Sequence, residues 1–324
     1  MATARANAVT TRPSVFRYLY FVAISSSSLL LLLLFCFPMT TRPSVFRYRY
    51  FASSSPSLLL LLCFPMLSRV TRAMSSSSSA ASAASPTTAT KSAALIFLHG
   101  LGDSPAGWSS LASSLPRLKP RLQNVEYVFP PAPTIALSIS GGERMPGWFD
   151  LYDWPIGVGT PDDRDGKIKA VAQINDCVSK LVAKGIPGNR IVVGGFSQGG
   201  AIALLVAYHA NVSSSVLQQT STPLAGCVAL SAWLTLVDDL QVPANVAKQT
   251  RLFWAHGEYD DKVLFEQQKH GIDILKQHGV VHISQSRFPM GHESHPQEME
   301  QLATFLDNLL FEEQQADEQQ EKEL

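Results

Sequence analysis

The sequence predicts an α/β fold in which a mostly parallel central sheet carries helices on both faces. From residue 93 onward, short apolar runs alternate with stretches whose apolar residues recur every three or four positions, and this alternation is typical of such sheets. Gly and Pro bound many of the runs and mark where strands and helices stop. A Gly-x-Ser-x-Gly segment at residues 195–199 joins one apolar run to one helical stretch.

Six apolar runs predict the strands, because strands buried on both faces of a parallel sheet are continuously apolar. They are Ala93–Leu98, Val125–Phe129, Arg190–Phe196, Leu224–Leu230, Leu252–Ala255 and Val281–Phe288. Four stretches predict helices: Asp163–Lys184, Gln198–Tyr208, Leu264–Gln277 and Pro296–Phe311. In the first helix, the expected buried face is formed by Ile168, Val171, Ile174, Val178 and Leu181.

Composition excludes several classes of protein. The 324 residues are 46% hydrophobic and 16% charged, with zero formal net charge, which argues against a nucleic-acid binder driven by global charge and against a disordered chain. The four cysteines form no C-x-x-C pair, so neither a disulfide scaffold nor a structural zinc site is expected.

The chain divides by charge into a leader and a body. Residues 1–74 form a duplicated leader, and no acidic residue precedes Asp103. Residues 75–91 read as a Ser/Ala linker, 92–311 as the folded domain and 312–324 as a charged tail. Translation from Met74 would give a cytoplasmic protein. The alternatives for the leader are a plastid or mitochondrial address, or a secretory or anchor segment.

Ser197 is the candidate nucleophile. It follows the strand Arg190–Phe196 and precedes the helix Gln198–Tyr208, which is the strand–turn–helix context that a nucleophile elbow needs. The flanking glycines are expected because a Cβ atom there would collide with the neighbouring strand and helix. The ordinary alternative is an N-cap serine in a glycine-rich turn.

A serine hydroxyl needs a general base and an orienting acid, and both follow Ser197 in the order Ser, acid, His. His292 is the favoured base, with His295 as its competitor. Asp260 is the favoured acid, and its competitors are Asp261 and Glu258. His256 and His99 are expected to be structural.

The oxyanion hole requires two backbone N–H donors. One is expected from Gln198, the residue after the nucleophile. The other is expected from Leu101, in the glycine-rich loop after the first strand.

Several motifs resemble the acyl-protein thioesterase, lysophospholipase and carboxylesterase family, in its plant-like form. The segments are HGLGDS at 99–104, MPGWFD at 145–150, GFSQGG at 195–200 and HGEYD at 256–260. The resemblance runs in order over about 93–310. It implies a small α/β-hydrolase without a large cap domain and the triad Ser197, Asp260 and His292, with Leu101 and Gln198 as the oxyanion hole. Glu258 and Asp261 depart from the family pattern and leave acyl preference open.

The resemblance also implies the reaction, which is hydrolysis of S-palmitoyl groups on proteins, lysophospholipids or carboxylic esters, with no cofactor or metal. The alternatives are a short-chain carboxylesterase or deacetylase and, in a different class, a non-catalytic receptor with the same fold. The expected partners are acylated proteins, small esters or lysolipids, and no nucleic acid. Peripheral membrane contact and oligomeric state stay open.

A fatty acyl chain needs an apolar groove. The residues expected to line it are Ile135, Leu137, Trp148 and Phe149. The alternative for each is ordinary core packing.

Overall fold

The computed structural model describes residues 91–213 and 222–311. The predicted leader, all of the linker before Lys91 and the charged tail lie outside these residues. Within them, no helix is long and apolar enough to cross a membrane.

Six parallel strands form the central sheet, as the sequence predicts. In chain order they are β1 (Ala93–Leu98), β2 (Val125–Val128), β5 (Ile191–Phe196), β6 (Gly226–Leu230), β7 (Arg251–Gly257) and β8 (Ile283–Phe288). They lie side by side in the order β2-β1-β5-β6-β7-β8. The strands' carboxyl ends therefore meet at one edge of the sheet, where ligands bind in open α/β folds.

Helices cover both faces of the sheet. The helices are α1 (Pro105–Trp108), α2 (Leu111–Leu118), α3 (Arg164–Ala183), α4 (Gln198–Tyr208), α5 (Ala244–Gln249), α6 (Glu266–Gln277) and α7 (Pro296–Phe311). Alternate residues of β1 belong to two separate cores. Ile96 packs in the core that contains α3 and α4 residues, and Leu95 packs in the core that contains α2 and α7 residues. Burial on both faces explains why β1 is apolar throughout.

The structure contains elements that the sequence analysis did not predict. Helices α1, α2 and α5 are among them, and so is a small antiparallel hairpin of β3 (Thr134–Leu137) and β4 (Glu143–Pro146). Helix α3 begins after Asp163, whose side chain accepts a hydrogen bond from the Gly166 N–H and so caps the helix.

The buried face of helix α3 differs from the predicted one at one position. Ile168 was expected in the core but is 37% exposed, whereas its neighbour Lys167 is 1% exposed. Both positions lie one turn before Val171, so spacing alone does not choose between them. The helix therefore buries a lysine and exposes an isoleucine.

Glu298 gives a prediction for stability, because this acid is buried in the first turn of α7 and its Oε1 has no hydrogen-bond partner among the described residues. Burial raises its pKa to about 7, above the ordinary value of about 4.3. The folded state then binds more protons than the unfolded state between those two values, so stability falls as pH rises through that window. We expect Glu298→Gln to remove this loss, which amounts to about 2–3 kcal/mol between pH 5 and pH 8.

Urea unfolding of Glu298→Gln at both pH values measures this effect. Glu300→Gln is the matched control, because Glu300 is exposed on the same helix. Equal pH dependence in the wild type and Glu298→Gln would contradict the prediction.

Candidate active site

Ser197 occupies a tight turn between β5 and α4. Its φ of 54° and ψ of −122° are rarely adopted by a non-glycine residue, and such strain is typical of functional turns. Two glycines permit the turn. A Cβ on Gly195 would lie 2.4 Å from the Gly199 carbonyl carbon, and one on Gly199 would lie 2.4 Å from the Leu98 carbonyl oxygen. The turn is therefore compatible only with glycine at both positions.

A chain of two hydrogen bonds connects Ser197, His292 and Asp260. Ser197 Oγ lies 2.9 Å from His292 Nε2, and His292 Nδ1 lies 2.8 Å from Asp260 Oδ2. Ser197 and Asp260 follow the ends of β5 and β7, and His292 lies in the loop between β8 and α7. The parallel sheet thus brings together three side chains that are far apart in sequence.

The loop after β7 holds the Asp260 carboxylate in one orientation. Its Oδ1 accepts hydrogen bonds from the N–H groups of Lys262 and Val263, both at 2.9 Å. Burial on its own would raise the pKa of Asp260, but hydrogen bonds from His256 and His292 outweigh it and hold that pKa well below its ordinary value. Asp260 is therefore a carboxylate at neutral pH.

The two competing acids, Asp261 and Glu258, form ion pairs with other residues. The Asp261 side chain is 75% exposed and pairs with Lys262 Nζ at 3.2 Å. Glu258 lies 3.3 Å from Arg287 Nε. Of the three candidate acids, only Asp260 forms a hydrogen bond with His292.

The competing histidines are engaged in other contacts. His295 Nδ1 accepts from the Gln297 N–H at 3.2 Å, and its ring stacks on Phe288. His99 Nε2 accepts from the Ala132 N–H at 3.2 Å, so its ring connects the loop after β1 to the segment between β2 and β3.

His256, which was expected to be structural, is a neighbour of Asp260. It is fully buried. Its Nε2 donates to the Val263 carbonyl at 2.8 Å and lies 3.4 Å from Asp260 Oδ2. The four-residue spacing between His256 and Asp260 was the feature of the sequence that could have indicated this contact. The turn after β7 brings the two side chains together.

The predicted oxyanion-hole residues lie near Ser197: Gln198 follows it in the chain, and Leu101 lines the same cavity. Gln198 opens α4, where the first backbone N–H groups have no partner within the helix. Leu101 lies in the loop after β1, and the next N–H group, that of Gly102, donates to the Pro146 carbonyl at 2.8 Å. The Gln198 side chain accepts from the Trp148 N–H and donates to the Phe149 carbonyl, both at 2.7 Å, which fixes the segment after β4.

A cavity of about 480 Å³ opens at Ser197, and we call it the nucleophile cavity. Its apolar walls are Leu101, Trp108, Trp154 and Phe196. None of the four residues predicted to bind an acyl chain lines it within the described ranges. Leu137, Trp148 and Phe149 are buried, and the Trp148 indole N–H donates to the His99 carbonyl at 2.8 Å.

Phe149 lines a second cavity of about 300 Å³, which we call the inner cavity. Its apolar walls also include Leu151, Ile156, Trp233 and Leu234, and Lys167 lies on its wall. No group of three or more His, Cys, Asp or Glu side chains in 91–213 and 222–311 could hold a metal ion.

Comparison with known proteins identifies the family. The sequence profile of the Phospholipase/Carboxylesterase family matches residues 80–310. Acyl-protein thioesterase 1 of Mycosarcoma maydis is 37% identical over 233 residues, which cover 67% of this chain and 91% of that protein. A probable carboxylesterase of Oryza sativa subsp. japonica is 33% identical over 217 residues, covering 67% of this chain and 77% of that protein.

Solved structures give the same result. The crystal structure of Zea mays acyl-protein thioesterase 2 aligns with a TM-score of 0.58 and 30% identity, covering 69% of this chain and 96% of that one. That of Arabidopsis thaliana SOBER1 has a TM-score of 0.58 and 26% identity, covering 67% of this chain and 99% of that one. The chain therefore belongs to the phospholipase/carboxylesterase family of α/β-hydrolases and is a carboxylic ester or thioester hydrolase.

Proposed function

We propose that the chain hydrolyses acyl thioesters and esters with Ser197 as nucleophile, His292 as general base and Asp260 as orienting acid, and that S-palmitoylated proteins are its main substrates. The observation that carries the proposal is the hydrogen-bonded chain from Ser197 through His292 to Asp260. Relatives named acyl-protein thioesterase support the choice of substrate.

The first step forms an acyl-enzyme. His292 Nε2 accepts the Ser197 proton across 2.9 Å while Oγ attacks the acyl carbonyl carbon, and the carbonyl electrons move to oxygen. Asp260 accepts from His292 Nδ1 and stabilises the imidazolium that forms. The backbone N–H groups of Leu101 and Gln198 hold the oxyanion, and each such donor contributes about 2.7–4 kcal/mol to the transition state.

Collapse of the tetrahedral intermediate completes the first step: the thiol or alcohol leaves with a proton from His292, and the acyl group stays on Ser197. The second step releases the acid. Water then loses a proton to His292 and attacks the acyl-Ser197 carbonyl. Collapse of the second intermediate returns the proton to Ser197 Oγ and frees the carboxylic acid. Every proton transfer uses His292, so no cofactor or metal is needed.

The nucleophile cavity gives an acyl chain apolar contacts. Leu101, Trp108, Trp154 and Phe196 surround Ser197, and the Trp154 side chain is partly open to solvent, with 40% of the residue exposed. An alkyl chain that covers these side chains gains about 25 cal/mol for each Å² of apolar surface removed from water. This wall can accept a long chain because the cavity is open to solvent.

A short-chain carboxylesterase or deacetylase is the second candidate. The observation that favours it is that none of the four residues predicted to line a long acyl groove, all of them described by the structure, lines the nucleophile cavity. The two candidates share the chemistry at Ser197 and differ only in acyl length. A non-catalytic receptor would use the same fold without turnover.

Steady-state hydrolysis by the purified full chain tests the proposal. The substrates are an S-palmitoyl peptide and p-nitrophenyl esters from acetate to palmitate, with Ser197→Ala as the control. We expect turnover of the thioester and the esters that Ser197→Ala abolishes, together with fluorophosphonate labelling of Ser197. Turnover that survives in Ser197→Ala would refute the assigned nucleophile, and absence of turnover in the wild type would favour the receptor.

A further inference from the structure

His256 is a buried polar residue whose hydrogen bonding is only partly satisfied. It lies near the end of β7, and its side chain is 0% exposed. Its Nδ1 has no hydrogen-bond partner among the described residues, and its ring packs edge-on against Phe265. A buried nitrogen without a partner costs stability, and a phenylalanine ring would have no such atom. Positions that break a local rule without a gain in stability are where functional constraints are expected.

The surroundings of His256 Nε2 decide which nitrogen carries the proton. Nε2 lies 2.8 Å from the Val263 carbonyl oxygen and 3.4 Å from Asp260 Oδ2. A carbonyl and an ionised carboxylate are acceptors only. Nε2 is therefore a donor in either charge state of the ring, and its N–H lies between the Val263 carbonyl and the Asp260 carboxylate.

This N–H completes the set of donors around the Asp260 carboxylate. Oδ1 accepts from the N–H groups of Lys262 and Val263, both at 2.9 Å. Oδ2 faces His292 Nδ1 at 2.8 Å and His256 Nε2 at 3.4 Å. A carboxylate has about four lone-pair sites, so a donor faces each of them. Such a set fixes the plane of the carboxylate and favours its charged form.

The loop of Asp260 is also tied to the loop of His292 through the backbone. The Tyr259 N–H donates to the Met290 carbonyl at 3.0 Å, one residue before Asp260 and two residues before His292. The backbone therefore sets the distance between the two loops. Within that frame, the orientation of the Asp260 carboxylate decides where His292 Nδ1 finds its acceptor.

We infer that His256 is a positioning residue, which holds the Asp260 carboxylate in the orientation that accepts from His292 Nδ1. The inference rests on the proposed function and adds a fourth side chain to the proposed triad. His256 acts through Asp260, so kcat should depend on it and KM should not.

Three variants of His256 separate the donor from the ring. His256→Phe keeps a ring and removes the donor. His256→Gln can place an amide N–H where Nε2 lies, whereas the shorter side chain in His256→Asn reaches only the position of Nδ1. For p-nitrophenyl butyrate, we expect kcat to fall about tenfold in His256→Phe and His256→Asn, the factor for one weak hydrogen bond to a charged group. In His256→Gln it should stay within about threefold of wild type, with KM little changed in all three.

The pH profile gives a second readout, which a purely structural role would not move. A carboxylate that loses a donor attracts the imidazolium form of His292 more strongly. The acid limb of kcat/KM should therefore move to higher pH by about half a unit in His256→Phe and His256→Asn. The other titratable groups near the triad are the same in every variant: Asp103, Lys262 and Glu293 at the nucleophile cavity, and Glu258, Asp261, Arg287 and His295 on the adjoining segments.

His209→Phe is the matched control, because His209 has the same kind of environment. It is fully buried, its Nε2 lies 3.1 Å from the Leu236 carbonyl oxygen and 3.5 Å from Asp239 Oδ1, and its Nδ1 has no hydrogen-bond partner within 91–213 and 222–311. Asp239 pairs with Arg164 and is not part of the proposed triad. His209→Phe should therefore change stability about as much as His256→Phe does, and it should leave kcat and the acid limb unchanged.

Thermal unfolding of each variant shows which of them fold, and if His256→Phe does not, the comparison of His256→Gln with His256→Asn decides. Wild-type kcat in His256→Asn, equal losses in the Gln and Asn variants, or an acid limb that does not move would each overturn the inference. Failure of the proposed function is distinct, since the wild type would then lack Ser197-dependent turnover of any ester.

Discussion

His292→Ala should lower kcat for thioester and ester hydrolysis by about 10⁶-fold, the scale seen when the base of a serine hydrolase is removed. His292 Nε2 is the acceptor within hydrogen-bonding distance of Ser197 Oγ, at 2.9 Å. Without it, the hydroxyl must attack while it still carries its proton. The later steps fail as well, because the same nitrogen protonates the leaving group and activates water.

Single-turnover and steady-state assays of His292→Ala measure this loss. His295→Ala is the matched control, since His295 lies three residues away in the same loop but contacts Phe288 and Gln297. It should retain kcat within a fewfold of wild type. Fluorophosphonate labelling of Ser197 should disappear in His292→Ala and persist in His295→Ala. The reverse pattern would assign the base to His295.

Much of the candidate site was predictable because chain order and strand ends constrain it. In a parallel sheet, residues that follow different strands meet at one edge. Ser197, Asp260 and His292 each follow a strand, so the sequence could place them together before any distance was known. The elbow was predictable for a similar reason, because the Cβ contacts at Gly195 and Gly199 leave no alternative residue.

The apolar residues around the site were harder to place because the same side chains serve cores and pockets. The sequence predicts that Trp148 lines an acyl groove. In the structure its indole N–H donates to the His99 carbonyl and its ring is buried. Trp108 and Trp154 line the nucleophile cavity instead. They lie in segments without a clear repeat, so periodicity carried no information about them.

The burial of Lys167 also could not be predicted from local sequence. Helical periodicity assigns Ile168 to the core, and nothing local to α3 indicates that a lysine should replace it. The partners that make burial tolerable are Asp162, which precedes the helix, and Thr235, which follows β6. A residue whose environment depends on a segment nearly seventy positions away cannot be placed from its own helix.

The second large effect is the loss of kcat expected when the triad acid, Asp260, is replaced. Asp260→Asn should lower kcat by about 10⁴-fold, whereas Asp261→Asn should leave it close to wild type. Asp260 Oδ1 accepts from two backbone N–H groups, so an asparagine would keep its oxygen there and turn its amide NH₂ toward His292 Nδ1. The imidazole would then carry its proton on Nε2, which is the tautomer that cannot accept the Ser197 proton.

Asp261→Asn is the matched control, because it makes the same change one residue away on a side chain that is 75% exposed. The ion pair it removes, with Lys262, is exposed and contributes about 1 kcal/mol or less. kcat for p-nitrophenyl butyrate, measured with thermal unfolding of each variant, separates catalytic loss from loss of folding. Because the wrong tautomer of His292 impairs proton transfer and not substrate binding, the loss in Asp260→Asn should be confined to kcat, with KM little changed. Equal losses in the two variants would mean that orientation of His292 does not depend on Asp260, and the acid would have to be sought among the remaining contacts of the imidazole.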